Sequence, residues 1–184
     1  TQKIYPDICM FGKALGNGYA ISSVIGKKSV MNKANNSFIS STFWTERIGF
    51  LAGIKTIELM KKIKSWKIII KNGKYLTQEL KKLAKKHNLD IKVGGIESIV
   101  SYTFNTKNNL KYKTFISQEM LKRRYLASNI TFLTIHHKKK VIDEYIKNLD
   151  PLFLKIKLFE QKKDSVLKYL KGPVCHSTFK RLTD

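Results

Sequence analysis

Hydrophobic positions along the chain follow two periods. Ile48, Leu51, Ala52, Ile54, Ile57 and Leu59 keep helical spacing and predict a helix over residues 47–64. A second helical segment is predicted over 66–87, with its lysines on a solvated face. Shorter apolar runs precede these helices. Residues 7–11, after Pro6, and 19–25 read as buried strands, 27–35 as a short helix ending at the Asn35-Asn36 turn, and 38–46 as a polar and aromatic loop. Beyond the helices, 90–93 and 98–104 read as strands joined at Gly94-Gly95, and 105–109 as a polar turn. Residues 113–124 read as a helix and 130–135 as a strand, and 139–170 contain a helix punctuated by Pro151. The chain beyond the two long helices reads as a compact α+β domain.

Between the two early strands lies Phe11-Gly12-Lys13-Ala14-Leu15-Gly16-Asn17-Gly18, a single lysine in a glycine frame. The glycines let the backbone turn tightly and come close to a bound group. Burial between two strands would lower the Lys13 pKa, and a neutral amine condenses with an aldehyde to form a Schiff base. A strand-end lysine that reaches solvent beside a turn is the other reading of the same residues. In the 38–46 loop, Ser40, Ser41, Thr42 and Thr45 place hydroxyls ahead of an apolar helix. Unsatisfied amides and the helix dipole then point the same way, which suits a phosphate dianion. Simple capping of the helix by Thr45 is the alternative.

The stretch from Tyr5-Pro6-Asp7 through Phe11-Gly12-Lys13-Ala14-Leu15-Gly16-Asn17-Gly18 resembles the cofactor-lysine segment of class III pyridoxal-phosphate (PLP) aminotransferases, most of all the branch similar to glutamate-1-semialdehyde 2,1-aminomutase. Ser40-Ser41-Thr42-Phe43-Trp44-Thr45-Glu46-Arg47-Ile48-Gly49 resembles the segment that follows it there, and Gly172-Pro173-Val174-Cys175-His176-Ser177-Thr178-Phe179-Lys180-Arg181-Leu182 resembles the end of some members of the branch. The resemblance implies the α/β fold-type I PLP-dependent transferase fold, with the end of the large domain over 1–64 and the small carboxy-terminal domain over 65–184. It implies that Lys13 carries PLP as a Schiff base, that Thr42, beside Ser41, binds the cofactor phosphate across a homodimer interface, and that the substrates are small-molecule amino donors and acceptors. The wording of Phe43-Trp44-Thr45-Glu46-Arg47 departs from the aminomutase pattern and favours an aminotransferase; intramolecular transfer by an aminomutase is the alternative. In the family most of the cofactor's other contacts lie upstream of the lysine, and Asp7 is not in the family's cofactor-carboxylate motif. The resemblance therefore implies the carboxy-terminal part of a longer enzyme, inactive by itself. Arg124 stands where the family usually has glycine, which puts that turn in question.

Charge adds a rival class. The 184 residues carry a net charge of +23, as a basic nucleic-acid-binding or scaffold protein would. Arginine, the better fork for phosphate and base edges, occurs only at Arg47, Arg123, Arg124 and Arg181, and the lysines are scattered over helix faces, so no nucleic-acid partner is expected. Cys9 and Cys175 form no close pair, so neither a disulfide framework nor a metal site is expected, and a reducing cytoplasmic setting fits. No apolar run approaches a membrane span. His136 and His137, adjacent at the end of the predicted 130–135 strand, would point to opposite faces if the strand continued through them and could not share a metal.

Overall fold

Strand β1 (Ile8–Phe11) pairs antiparallel with β2 (Ser23–Gly26), in a register that sets Ile8 opposite Gly26 and Phe11 opposite Ser23. The structure, a computed structural model, describes residues 3–177. It divides into two units, Thr1–Ser65 and Trp66–Asp184. In the first, the β1–β2 ribbon is followed by α1 (Lys28–Met31), a 3-10 stretch over Asn32–Asn36, the irregular 38–47 segment and α2 (Ile48–Ile63). A residue in left-handed conformation, Lys64 at φ +50, stops α2.

The two strands are not buried as the sequence suggested. Met10 is 79% exposed and Ile25 54%, because a two-stranded ribbon covers neither of its own faces. Helix α2 is apolar nearly all round, the pattern of an interior helix, yet its buried positions are only Gly49 and Gly53. Strand β2 also starts later than its apolar run predicts. A bond from Tyr19 N–H to the Gly16 carbonyl and the φ of +111 at Gly18 keep residues 16–19 in the turn.

The second unit is built on an antiparallel sheet in the order β3 (Ile91–Ile96), β4 (Ile99–Phe104), β5 (Ile130–Phe132). With it go α3 (Ser65–His87), α4 (Asn109–Lys122) and α5 (Lys139–Glu160). Alternation along β4 sends Val100, Tyr102 and Phe104 into the core, where they meet Leu76, Leu80 and Phe153. Gly94 and Gly95 do not form the hairpin turn. They pair with Ser101 and Val100 inside the ladder, and the turn falls on Glu97-Ser98, where the chain closes on Gly73 of α3. Helix α4 starts four residues before the predicted 113, at Asn109, whose Oδ1 accepts from the Phe104 N–H at 2.9 Å. Pro151 lies inside α5 without ending it. Buried Leu149, Leu152, Phe153 and Ile156 flank it, and their packing offsets the roughly 3 kcal/mol that an interior proline costs.

Three helices of this unit end in the same motif without glycine. After α4, Tyr125 N–H donates to the Met120 carbonyl (3.0 Å) and Arg124 N–H to Leu121 (2.9 Å), with Arg124 at φ +66. Asn88 (φ +52) after α3 and Lys162 (φ +57) after α5 do the same, through Leu89 to Ala84 and Lys163 to Leu158. The turn at Arg124 thus keeps the left-handed geometry that glycine would favour.

Candidate active site

Lys13 opens one turn of 3-10 helix, Lys13–Leu15, and itself stands at φ +47, as does Asn17. Left-handed backbone at a non-glycine residue costs about 1–2 kcal/mol, so the conformation has to be held from outside. Leu15 N–H donates to the Gly12 carbonyl at 3.0 Å, and Asn17 N–H to the Lys13 carbonyl at 3.3 Å. Gly16 is buried, and a Cβ there would overlap the Tyr19 carbonyl oxygen. The loop then seats on α2 through two glycines one turn apart. A Cβ on Gly49 would come 2.7 Å from the Ala20 carbonyl oxygen, and one on Gly53 would lie 3.7 Å from both Leu15 and Ile21. Gly49 and Gly53 are the site residues that the sequence reading passed over. Their four-residue spacing within a helical window was the available signal.

The hydroxyl loop reaches the same helix from its amino end. A turn closed by Glu46 N–H on the Phe43 carbonyl (3.3 Å) leads to Arg47, the residue that precedes α2, and no side chain caps the helix. The capping role considered for Thr45 is therefore not realised, and the first-turn amides keep no side-chain partner. Ser41 and Thr42 are exposed a few residues ahead of them. The structure thus seats the Lys13 loop on the first two turns of α2, and Ser41-Thr42 precede that helix in the chain by an irregular, exposed stretch. Lys13 is exposed and not buried between the two strands as the sequence suggested. Asp7 is paired with Lys27, its Oδ1 2.6 Å from Nζ.

The remaining sequence candidates lie in the second unit. His136 and His137 sit in a turn and not on a strand, because β5 ends at Phe132. His137 Nδ1 accepts from the Thr134 N–H at 2.9 Å. Among the described residues no cluster of His, Cys, Asp or Glu could hold a metal. The carboxy-terminal block lies along α4: Lys171 N–H donates to Gln118 Oε1 and Cys175 N–H to Thr114 Oγ1, at 2.8 and 2.9 Å. Its residues 178–182 lie outside the described residues. Among the described residues no helix is long and apolar enough to cross a membrane.

A lysine on a strained glycine loop, seated against a helix whose open amino end follows a run of hydroxyls, defines a candidate aldehyde-and-phosphate site of the PLP-enzyme kind. The family profile described as Aminotransferase class-III matches residues 1–154, and the chain belongs to that family. Among curated relatives, it is 31% identical over 162 residues to glutamate-1-semialdehyde 2,1-aminomutase of Saccharolobus islandicus, covering 80% of this chain and 38% of that protein. It is 29% identical over 141 residues to 3-aminobutyryl-CoA aminotransferase of Cloacimonas acidaminovorans, covering 74% and 34%. Solved structures of the same fold include the FumI protein of Sphingopyxis sp. MTA144 in its PLP internal aldimine form, with a TM-score of 0.75, 21% identity and coverage of 85% of this chain and 38% of that one. An omega-transaminase from Sphaerobacter thermophilus matches with a TM-score of 0.73 and 13% identity, covering 83% and 39%. The chain spans between 34% and 38% of the length of these two curated relatives. The fold is that of the PLP-dependent transaminases, and class III aminotransferases are PLP enzymes.

Proposed function

We propose that this chain carries the cofactor lysine and part of the phosphate site of a PLP-dependent class III aminotransferase. Residues 1–64 would be the end of its large domain and 65–184 its small domain. The observation that carries the reading is the strained Lys13 loop seated on α2, with the hydroxyls of Ser41-Thr42 a few residues ahead of that helix in the chain. The residues fit the cofactor at two of its ends: a presented amine suits the aldehyde, and hydroxyls before uncapped helix amides suit the phosphate. They do not supply the acid for the ring nitrogen, since Asp7 is engaged by Lys27.

PLP, when bound, takes up through its ring the electrons left on the substrate carbon as a proton departs. Lys13 Nζ anchors the cofactor and, when released, holds and moves that proton. Thr42 Oγ1, with Ser41 Oγ beside it, would bind the phosphate of the cofactor held by the partner copy of a homodimer. The glycines at 12 and 16 hold the amine's backbone against the α2 seat. The substrates are a small amino donor and acceptor, and the setting is cytoplasmic, with no nucleic-acid partner. An aminomutase, returning the amino group to a neighbouring carbon, is the second reading, favoured by the 31% match to glutamate-1-semialdehyde 2,1-aminomutase.

Treatment of the complete enzyme with PLP, followed by borohydride reduction and peptide mapping, tests the assignment. The expected product is a label concentrated on Lys13 and absent from Lys13→Ala. Labelling spread over the surface lysines, or centred on another one, overturns it. Thr42→Val, which keeps the shape and removes the hydroxyl, should release the cofactor more readily.

A further inference from the structure

A groove of about 600 Å³ runs along α3 beside the start of α5, within the size range of small-molecule sites. Lys67, Lys71 and Lys74 line it from α3 and Lys139 from α5, and none of its lining residues is Asp or Glu. Spacings of four and three residues put Lys67, Lys71 and Lys74 on one face of the helix, over about 10 Å of its axis.

An ordinary solvated lysine face is interspersed with acids, and the following turns of α3 show one. The depression there is lined by Lys82, Lys86 and Lys147 but also by Glu79, Asp143 and Asp150, with Lys82 on Glu79 at 2.7 Å and Lys86 on Asp150 at 2.5 Å. Among the described residues Lys67, Lys71 and Lys74 are exposed and form no ion pair. Like charges at these helical spacings repel, so an anion in the groove relieves a cost that the fold already bears.

The opposite wall is fixed. Asp143 accepts from Tyr75 Oη at 2.5 Å and pairs with Lys139 Nζ at 2.6 Å, and that ammonium stands 5.0 Å from the centre of the Tyr75 ring. One cation and one ring are therefore held in place, while three ammonium groups on long stems can turn onto an occupant. The set contains no arginine. Lysine offers a point charge with three rotatable donors, which meets tetrahedral phosphoryl oxygens from any side, whereas a planar carboxylate is matched best by the arginine fork.

We propose that the groove binds a small molecule carrying two or more phosphoryl groups, with Lys67, Lys71 and Lys74 as donors and Lys139 as the fixed charge beside Tyr75. Lys13, Ser41 and Thr42 take no part in it, so the proposal stands or falls apart from the PLP assignment.

Inorganic pyrophosphate is the probe, titrated into the 184-residue chain at about 0.15 M salt, where distant surface charges are screened. Saturable binding is expected, with NMR shifts centred on Ile70, Asn72, Tyr75 and Gln78. Lys67→Gln, Lys71→Gln and Lys74→Gln together keep helix propensity and should weaken binding about eightfold, roughly a factor of two for each exposed ion contact. Lys81→Gln, Lys85→Gln and Lys140→Gln together remove the same charge from exposed lysines outside the groove and should cost less than about twofold. Citrate, of nearly the same charge near neutral pH, should bind about threefold more weakly, because its carboxylates find no fork. Equal losses in the two triple variants, shifts spread over the whole surface, or citrate binding as tightly as pyrophosphate overturns the proposal. So does tighter binding of an oligouridylate at the same residues, which would make the groove a nucleic-acid surface. If the groove variant does not fold, the wild-type shifts and the citrate comparison decide.

Discussion

Arg124→Gly should make the second unit more stable. Arg124 sits at φ +66 after α4, with its N–H bonded to Leu121 and the following Tyr125 N–H bonded to Met120. A residue with a Cβ is held there at about 1–2 kcal/mol. Glycine removes that strain but brings a floppier unfolded chain, roughly 0.5–1 kcal/mol in the other direction. The exposed Arg124 side chain takes no buried contact with it. The net gain is about 0.5–1 kcal/mol, or a few degrees in Tm. Lys162→Gly, at φ +57 after α5, should give a similar gain and add to it, because the two turns share no hydrogen-bond partner. Asn88→Gly should give only a few tenths, since asparagine tolerates this region. Lys113→Gly, in the interior of α4, is the control and should lose about 1 kcal/mol. Urea and thermal unfolding followed by circular dichroism would report all four. An Arg124→Gly chain no more stable than wild type would refute the reasoning, because it would mean the turn is not held in the left-handed region.

Gly49→Ala should lift the Lys13 loop off α2 and cost about 1–3 kcal/mol in overpacking, whereas Gly53→Ala, with its Cβ in ordinary contact distance, should gain about 1 kcal/mol of helix propensity; Trp44 fluorescence in a Trp66→Phe background reads both, and equal effects would refute the seating. Asp164 is held well below the usual carboxylate range by Lys155, whose Nζ is 2.6 Å away, and then by Tyr169 and the Ser165 N–H; Asp150 is lowered by Lys86 and then by His87. Both carboxyls are depressed in the folded state, so their contribution is complete above about pH 4 and is lost as pH falls through the folded values. Asp164→Asn should lower stability at neutral pH and flatten the acid limb of a urea midpoint versus pH plot; an unchanged limb would discard that account. Limited proteolysis of the chain should cut first within the exposed amino-terminal third and leave a protected core containing Tyr102, Tyr112 and Phe153, and early cuts inside β4 or α5 would contradict this.

The long helices were legible because their apolar positions repeat over many residues, as in α2 and α3. Turn positions were less so. Gly94-Gly95 looks like a hairpin turn in isolation, but register across β4 places both glycines in the ladder, and register depends on residues elsewhere in the chain. The apolar run of residues 7–11 reports what a strand could cover, and not what covers it, and here its faces stand exposed. At the candidate site the lysine and hydroxyl motifs were readable as motifs. The seat that joins them was not, because it consists of the missing side chains at Gly49 and Gly53 and shows itself only when the Ala20 carbonyl arrives beside them.

That glycine seat works as a spacer. The distance between the Lys13 backbone and the amino end of α2 is set by one backbone resting on another, with no long side chain between them that could change rotamer. Lys13 can swing its own four-carbon stem, but the platform beneath it has a single height. A displacement of α2 would therefore carry the amine-bearing loop with it as one body. A methyl group at position 49, the smallest side chain that can be added there, is enough to push the loop off that height.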